Sequence, residues 1–126
     1  MSPRSNFPLV FQRLKAILQP FASHLTVKAD MAEAYHLDGP FSPKYKKELF
    51  FGSAQVKKNY VSFYLMPVYM YPELLKGVSP ELKRHMQGKS CFNFKKVEPT
   101  LFEELAALTR KGFESFMQRE FDRMTA

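Results

Sequence analysis

From Phe7 to Phe21 apolar residues recur at three- and four-residue steps, at Phe7, Val10, Phe11, Leu14, Ile17, Leu18 and Phe21, with Gln12, Arg13, Lys15 and Gln19 between them. This spacing predicts a helix with one buried face, capped by Ser5 or Asn6 and ended or kinked near Pro20. The period then changes to two. Leu25, Val27 and Ala29 alternate with Thr26, Lys28 and Asp30, the pattern of a half-buried strand. Residues 33–37 form a shorter strand segment closed by Asp38-Gly39-Pro40, and Phe41 to Lys46, with Pro43, reads as a loop.

Two aromatic and β-branched runs follow, Glu48 to Val56 and Tyr60 to Met66, joined by Lys57-Lys58-Asn59. They predict an antiparallel hairpin whose turn uses the tolerance of Asn59 for positive φ. In its second strand Val61, Phe63 and Leu65 face one side, and Tyr60, Ser62 and Tyr64 face the other. Pro67 ends that strand. Pro72-Glu73 opens a helical turn closed by Gly77, and Ser79-Pro80-Glu81 opens a second with Gly88 as its stop. Ser90 to Lys95 is a last strand, with Cys91 and Asn93 on one face and Phe92 and Phe94 on the other.

A long helix starts at Pro99 and Thr100, with Thr100 and Glu103 spaced as a capping box. Leu101, Phe102, Leu105, Ala106, Leu108, Phe113, Phe116 and Met117 form its apolar stripe, opposite Glu104, Arg110, Lys111, Glu114 and Gln118. The fold class is therefore α+β: an antiparallel sheet with N- and C-terminal helices packed on one face. Residues 1–126 are expected to form a single domain, because 45% hydrophobic and 15% aromatic content in 126 residues supplies one core.

Composition narrows the chemistry. Cys91 is the only cysteine, which rules out an intramolecular disulfide and fits a reducing, cytoplasmic setting. No run reaches the roughly 18–20 apolar residues of a membrane span, so no membrane partner is expected. Residues 1–29 carry Arg4, Arg13, Lys15 and Lys28 and no acid, which is also the composition of an organellar transit peptide. The formal charge of +7 is uneven: residues 1–97 hold 15 basic and 6 acidic groups, and residues 98–126 hold 4 and 6. A basic body attracts anions of any kind without choosing among them.

The stretch from Tyr60-Val61-Ser62-Phe63-Tyr64-Leu65-Met66-Pro67, through Pro80-Glu81-Leu82-Lys83, to Gly88-Lys89-Ser90-Cys91-Phe92-Asn93-Phe94 and the Leu101 to Phe116 helix resembles the YdhG-like family of small bacterial domains of unknown function. Some of its members carry a frataxin-like iron-chaperone description. The resemblance covers residues 7–117 and implies an antiparallel sheet flanked by helices, a cytoplasmic location and a metal-related role. The iron part sits poorly on these residues. A hard cation wants several oxygen ligands together, whereas the first helix carries Arg13, Lys15 and no carboxylate. The acids Glu98, Glu103, Glu104, Glu114, Glu120 and Asp122 are interleaved with Arg110, Lys111, Arg119 and Arg123 and read as a solvated helix surface.

No Gly-rich phosphate loop is present, because the five glycines are isolated. His24, His36 and His85 lack the spacing of a zinc helix or a catalytic triad, and read as structural or surface groups. Cys91 near Lys89 has the makings of a nucleophile, set against its ordinary role as a small buried hydrophobe. Tyr60 and Tyr64 beside Lys57 and Lys58 form a candidate stacking platform for single-stranded nucleic acid. The main expectation is a non-catalytic ligand-binding or chaperone-like module, monomer or homodimer. Its partner would be an unidentified small ligand or anionic group held by Tyr60, Ser62, Tyr64, Cys91 and Asn93, and no motif names a cofactor or a metal site.

Overall fold

The structure, a computed structural model, describes residues 6–121. The candidate cap Ser5 and the acid Asp122 lie outside the described residues. Helix α1 (Phe7–Leu18) runs into a 3-10 turn (Gln19–His24) that holds Pro20, as the apolar spacing predicts. Strands β1 (Thr26–Met31), β2 (Ala34–Ser42), β3 (Lys47–Val56) and β4 (Val61–Leu65) follow. Helix α2 (Met66–Met70), a 3-10 turn (Pro72–Leu75) and α3 (Pro80–Lys83) lead to β5 (Cys91–Phe94) and α4 (Pro99–Glu120). The five strands form one antiparallel sheet in chain order, so the class is α+β.

Both long helices cover one face of the sheet. The Leu18 side chain of α1 reaches Gly52 on β3, and Leu65 of β4 packs near Gly112 of α4. The core between the layers holds Phe7, Phe11, Leu14, Leu37, Phe51, Val61, Phe63, Phe92, Phe94, Leu105 and Phe116, all buried. Its rings meet at angles that suit their quadrupoles: Phe94 and Phe102 cross at 82°, Phe51 and Phe113 at 88°.

Several elements differ from their sequence-based expectation. β2 does not stop at Asp38 but continues through Gly39-Pro40 to Ser42. Pro40 is tolerated because β1 pairs only as far as Asp38 and the register with β3 breaks between Asp38 and Phe41, so no ladder bond asks for its missing N–H. Gly39 is required for space, since a Cβ there would stand 2.6 Å from the Phe116 ring. The turn before β3 places Lys46 at φ 58, and Lys46 is the non-glycine residue with positive φ among those described, so Asn59 turns its hairpin without it. That hairpin closes from the Lys57 N–H to the Tyr60 carbonyl at 2.8 Å.

β1 is an exposed edge with a register shift between Val27 and Ala29, so Val27 is not buried as its alternation suggests. The last helix begins on Glu98 and Pro99 with no side-chain cap, so Thr100 and Glu103 do not form a capping box. Ser79 does cap α3, accepting from the Leu82 N–H at 3.1 Å. That helix ends at Lys83, well before Gly88, whose positive φ instead serves the turn into β5. Between them residues 85–87 run along β5. The Asn93 N–H donates to the His85 carbonyl at 2.8 Å and the Gln87 N–H to the Cys91 carbonyl at 2.9 Å. No described helix is long and apolar enough to cross a membrane.

Candidate binding site

Because side chains alternate across a strand, burying Val61, Phe63, Leu65, Phe92 and Phe94 under the helices turns their neighbours the other way. Register then aligns those neighbours. Ser62 lies between Gln55 and Asn93, and Tyr64 between Ser53 and Cys91. The result is a recess of about 210 Å³ on the sheet face opposite α1 and α4, lined by Tyr60, Ser62, Tyr64, Gln87, Cys91 and Asn93. All five residues selected from the sequence meet there.

The recess floor is a hydrogen-bond relay. Ser62, only 1% exposed, donates its hydroxyl to Asn93 Oδ1 at 2.7 Å. The Cys91 thiol approaches the same oxygen at 3.3 Å. Asn93 Nδ2 donates in turn to Gln87 Oε1 at 2.8 Å. This fixes the Asn93 amide with its oxygen inward and its nitrogen toward the opening. One N–H of Asn93 and the amino group of Gln87 have no partner in this relay, so both remain able to donate to a bound group. Beside the recess Lys57 Nζ donates to Gln55 Oε1 at 2.8 Å and sits 5.9 Å from the centre of the Tyr64 ring.

Burial biases two groups of the recess, Cys91 and Tyr64, toward their neutral forms. Burial pushes the Cys91 thiol up, and this outweighs the opposing effects of Ser62, Tyr64 and the Lys57 charge. Lys89, the neighbour that a reactive thiol would need, lies instead 5.9 Å from the centre of the Tyr69 ring. Burial likewise raises Tyr64. A protonated thiol with no base at hand is a poor nucleophile.

The remaining candidates are dispersed. His36 Nε2 meets Asp38 Oδ1 at 2.7 Å beside Phe50. His85 stacks on Phe94 at 4.5 Å, with Nδ1 2.8 Å from the Asn93 carbonyl and Nε2 3.0 Å from Glu98. His24 faces Phe113 at 5.9 Å. The acids of α4 are engaged separately rather than as one group. Glu104, expected on the solvated side, accepts from both the N–H and the hydroxyl of Ser79 at 2.6 Å, and Glu120 accepts from the Tyr71 hydroxyl. Among the described residues no three His, Cys, Asp or Glu side chains gather as a metal site would need.

Gln87 lines the recess and Gln55 stands beside it, and neither was singled out by sequence; Lys57, also beside it, was read from the sequence only as part of a nucleic-acid platform with Tyr60 and Tyr64. Gln55 had a visible signal, since it shares the parity of Ser53 on β3. Gln87 had none, because residues 85–87 carry no strand pattern of their own. The chain matches no protein-family model, no curated protein and no solved structure.

Proposed function

We propose that the protein is a non-catalytic binding module that holds a small planar group with a carbonyl or amide edge in the recess of Tyr60, Ser62, Tyr64, Gln87, Cys91 and Asn93. The observation that carries this reading is the oriented amide pair. Asn93 and Gln87 are fixed from below and keep N–H groups toward the opening, while Tyr60 and Tyr64 supply ring surface around them. The volume of about 210 Å³ is below the range of roughly 300–1,000 Å³ for drug-sized ligands, so one ring-sized group fits better than a large metabolite. The neutral thiol and phenol favour binding over acid–base or covalent chemistry. A YdhG-like affiliation is part of the same proposal, supported by the order of strand, short helices, strand and long helix, and a cytoplasmic location goes with it as what that resemblance implies.

A second reading, a single-stranded nucleic-acid module, is favoured by lysines placed near half-exposed rings. Lys57 stands by Tyr64, Lys89 by Tyr69 and Lys44 by Tyr45. An iron-chaperone role gains nothing from the separated acids of α4.

The test is an amide-resolved NMR titration with nicotinamide and, separately, with a short oligothymidylate. Nicotinamide is expected to shift the Asn93 and Gln87 side-chain amides, and Asn93→Ala is expected to abolish the effect. Silence of both amides at millimolar nicotinamide would end the small-ligand reading. Salt-sensitive oligothymidylate binding lost in Tyr64→Ala would install the second reading in its place.

A further inference from the structure

On the opposite side of the molecule α1 and α4 leave a groove of about 550 Å³. Its walls are Ala16, Ile17, Pro20 and Phe21 from the first helix and its turn, Val97 from the loop before α4, and Pro99, Phe102 and Ala106 from the start of α4. Three charged residues complete the lining: Arg13, Arg110 and Glu103. All three are exposed, and none of their side chains forms an ion pair or hydrogen bond with another described residue.

We infer that this groove binds an amphipathic monocarboxylate, an apolar chain ending in a single carboxylate. The volume falls inside the ordinary range for small-molecule sites, roughly 300–1,000 Å³, and the wall is mostly apolar. An apolar tail laid against Ile17, Phe21, Phe102 and Ala106 removes its surface and theirs from water. The two guanidiniums fix the sign of the polar end. Each offers planar N–H pairs that match a carboxylate, and neither must abandon a partner within the described residues to do so. Glu103 sets the count of charges. It lies seven residues before Arg110, two helical turns or about 10 Å along the same helix, and repels a second carboxylate at its end of the groove. A monoanion with an apolar tail therefore fits, and a dicarboxylate of the same length does not.

This site is separate from the sheet recess, and its test is independent of it. The probes are decanoate, decan-1-ol, decyltrimethylammonium and the ten-carbon dicarboxylate sebacate, each followed by calorimetry and by NMR shifts of Ala16, Ile17 and Ala106. Decanoate is expected to bind most tightly and to move those amides while leaving Asn93 and Gln87 unchanged. Arg13→Gln with Arg110→Gln is expected to weaken decanoate about tenfold or more, and decan-1-ol hardly at all. Glu103→Gln is expected to raise the affinity for sebacate. Ala106→Phe, at a half-buried groove position, is expected to keep the circular dichroism of the parent and to block all of the probes. Equal binding of decanoate and decyltrimethylammonium overturns the inference. So does full decanoate affinity in the doubly substituted protein, or in a folded Ala106→Phe protein.

Discussion

Asn93→Ala isolates the device on which the recess depends. The Ser62 hydroxyl is 1% exposed and donates to Asn93 Oδ1 at 2.7 Å. Truncating Asn93 leaves that hydroxyl without its acceptor, a penalty of about 1–3 kcal/mol. The open recess admits water to the vacated corner, which places the expected loss near the lower end, about 1–2 kcal/mol. Ser62→Ala removes the donor instead. Asn93 Oδ1 then keeps the Cys91 thiol and gains solvent, so the cost is about 0.5–1.5 kcal/mol.

With both changes made, neither orphan exists, and the double variant should lose about 1 kcal/mol less than the sum of the singles. The assay is urea unfolding followed by far-ultraviolet circular dichroism and tyrosine fluorescence, since the chain has no Trp. The denaturant slope must stay constant across the four proteins for the comparison to hold. Each kcal/mol corresponds to about 3–5 °C in melting temperature for a domain of this size. A loss below about 0.5 kcal/mol in Asn93→Ala, or strict additivity in the double variant, would refute the relay as a coupled unit.

Gly39→Ala brings a Cβ to 2.6 Å from a Phe116 ring that is already packed against Phe51 and Phe121 at 5.4 and 5.2 Å. It should destabilise by about 1–3 kcal/mol despite the better strand propensity of Ala, and Phe116→Leu should restore part of the loss; an unchanged urea midpoint would contradict this packing. Because burial raises Cys91, its alkylation by iodoacetamide at pH 8 should be slower in the folded protein than in urea, and equal rates would show that the thiol is not held protonated. Tyr71 is raised, first by burial and then by its bond to Glu120 and that carboxylate's charge. The folded state thus binds more protons than the unfolded chain above the ordinary tyrosine pKa of about 10, so this contribution is complete below that pH and fades as pH rises above it. Tyr71→Phe should flatten the alkaline loss of stability, and an unaltered pH profile would remove Tyr71 from its cause.

The apolar periods of α1, β3, β4, β5 and α4 carried the fold in the sequence, because each of these elements buries one face and burial imposes its period. β2 escaped because Gly39 and Pro40 imitate a turn; their meaning depends on Phe116, 77 residues away, and on where β1 stops pairing, neither of which is local. The capping box at Thr100 failed for the same kind of reason. The helix begins on Glu98 and Pro99, so Thr100 already lies inside its first turn.

The recess was legible through alternation alone: once Val61, Phe63, Phe92 and Phe94 are assigned inward, Ser62, Tyr64, Cys91 and Asn93 must point outward together. What alternation did not carry is register, which decides that Ser62 faces Asn93 rather than Cys91. The α1–α4 groove was invisible because Arg13 and Arg110 occupy ordinary solvent-side positions on their own helices. Only the packing of two distant segments brings them to one cleft.

Residues 85–87 have a consequence for how copies of this protein can meet. By bonding to both Cys91 and Asn93 they occupy the outer rim of β5, so the ladder ends there. Strand-to-strand growth needs two vacant borders per molecule, one to give and one to receive. Among the described residues β1 is the border with no strand beside it, and its register with β2 is interrupted by a bulge between Val27 and Ala29. Among the described residues the sheet thus offers one vacant border rather than two, which works against open-ended strand pairing between folded copies.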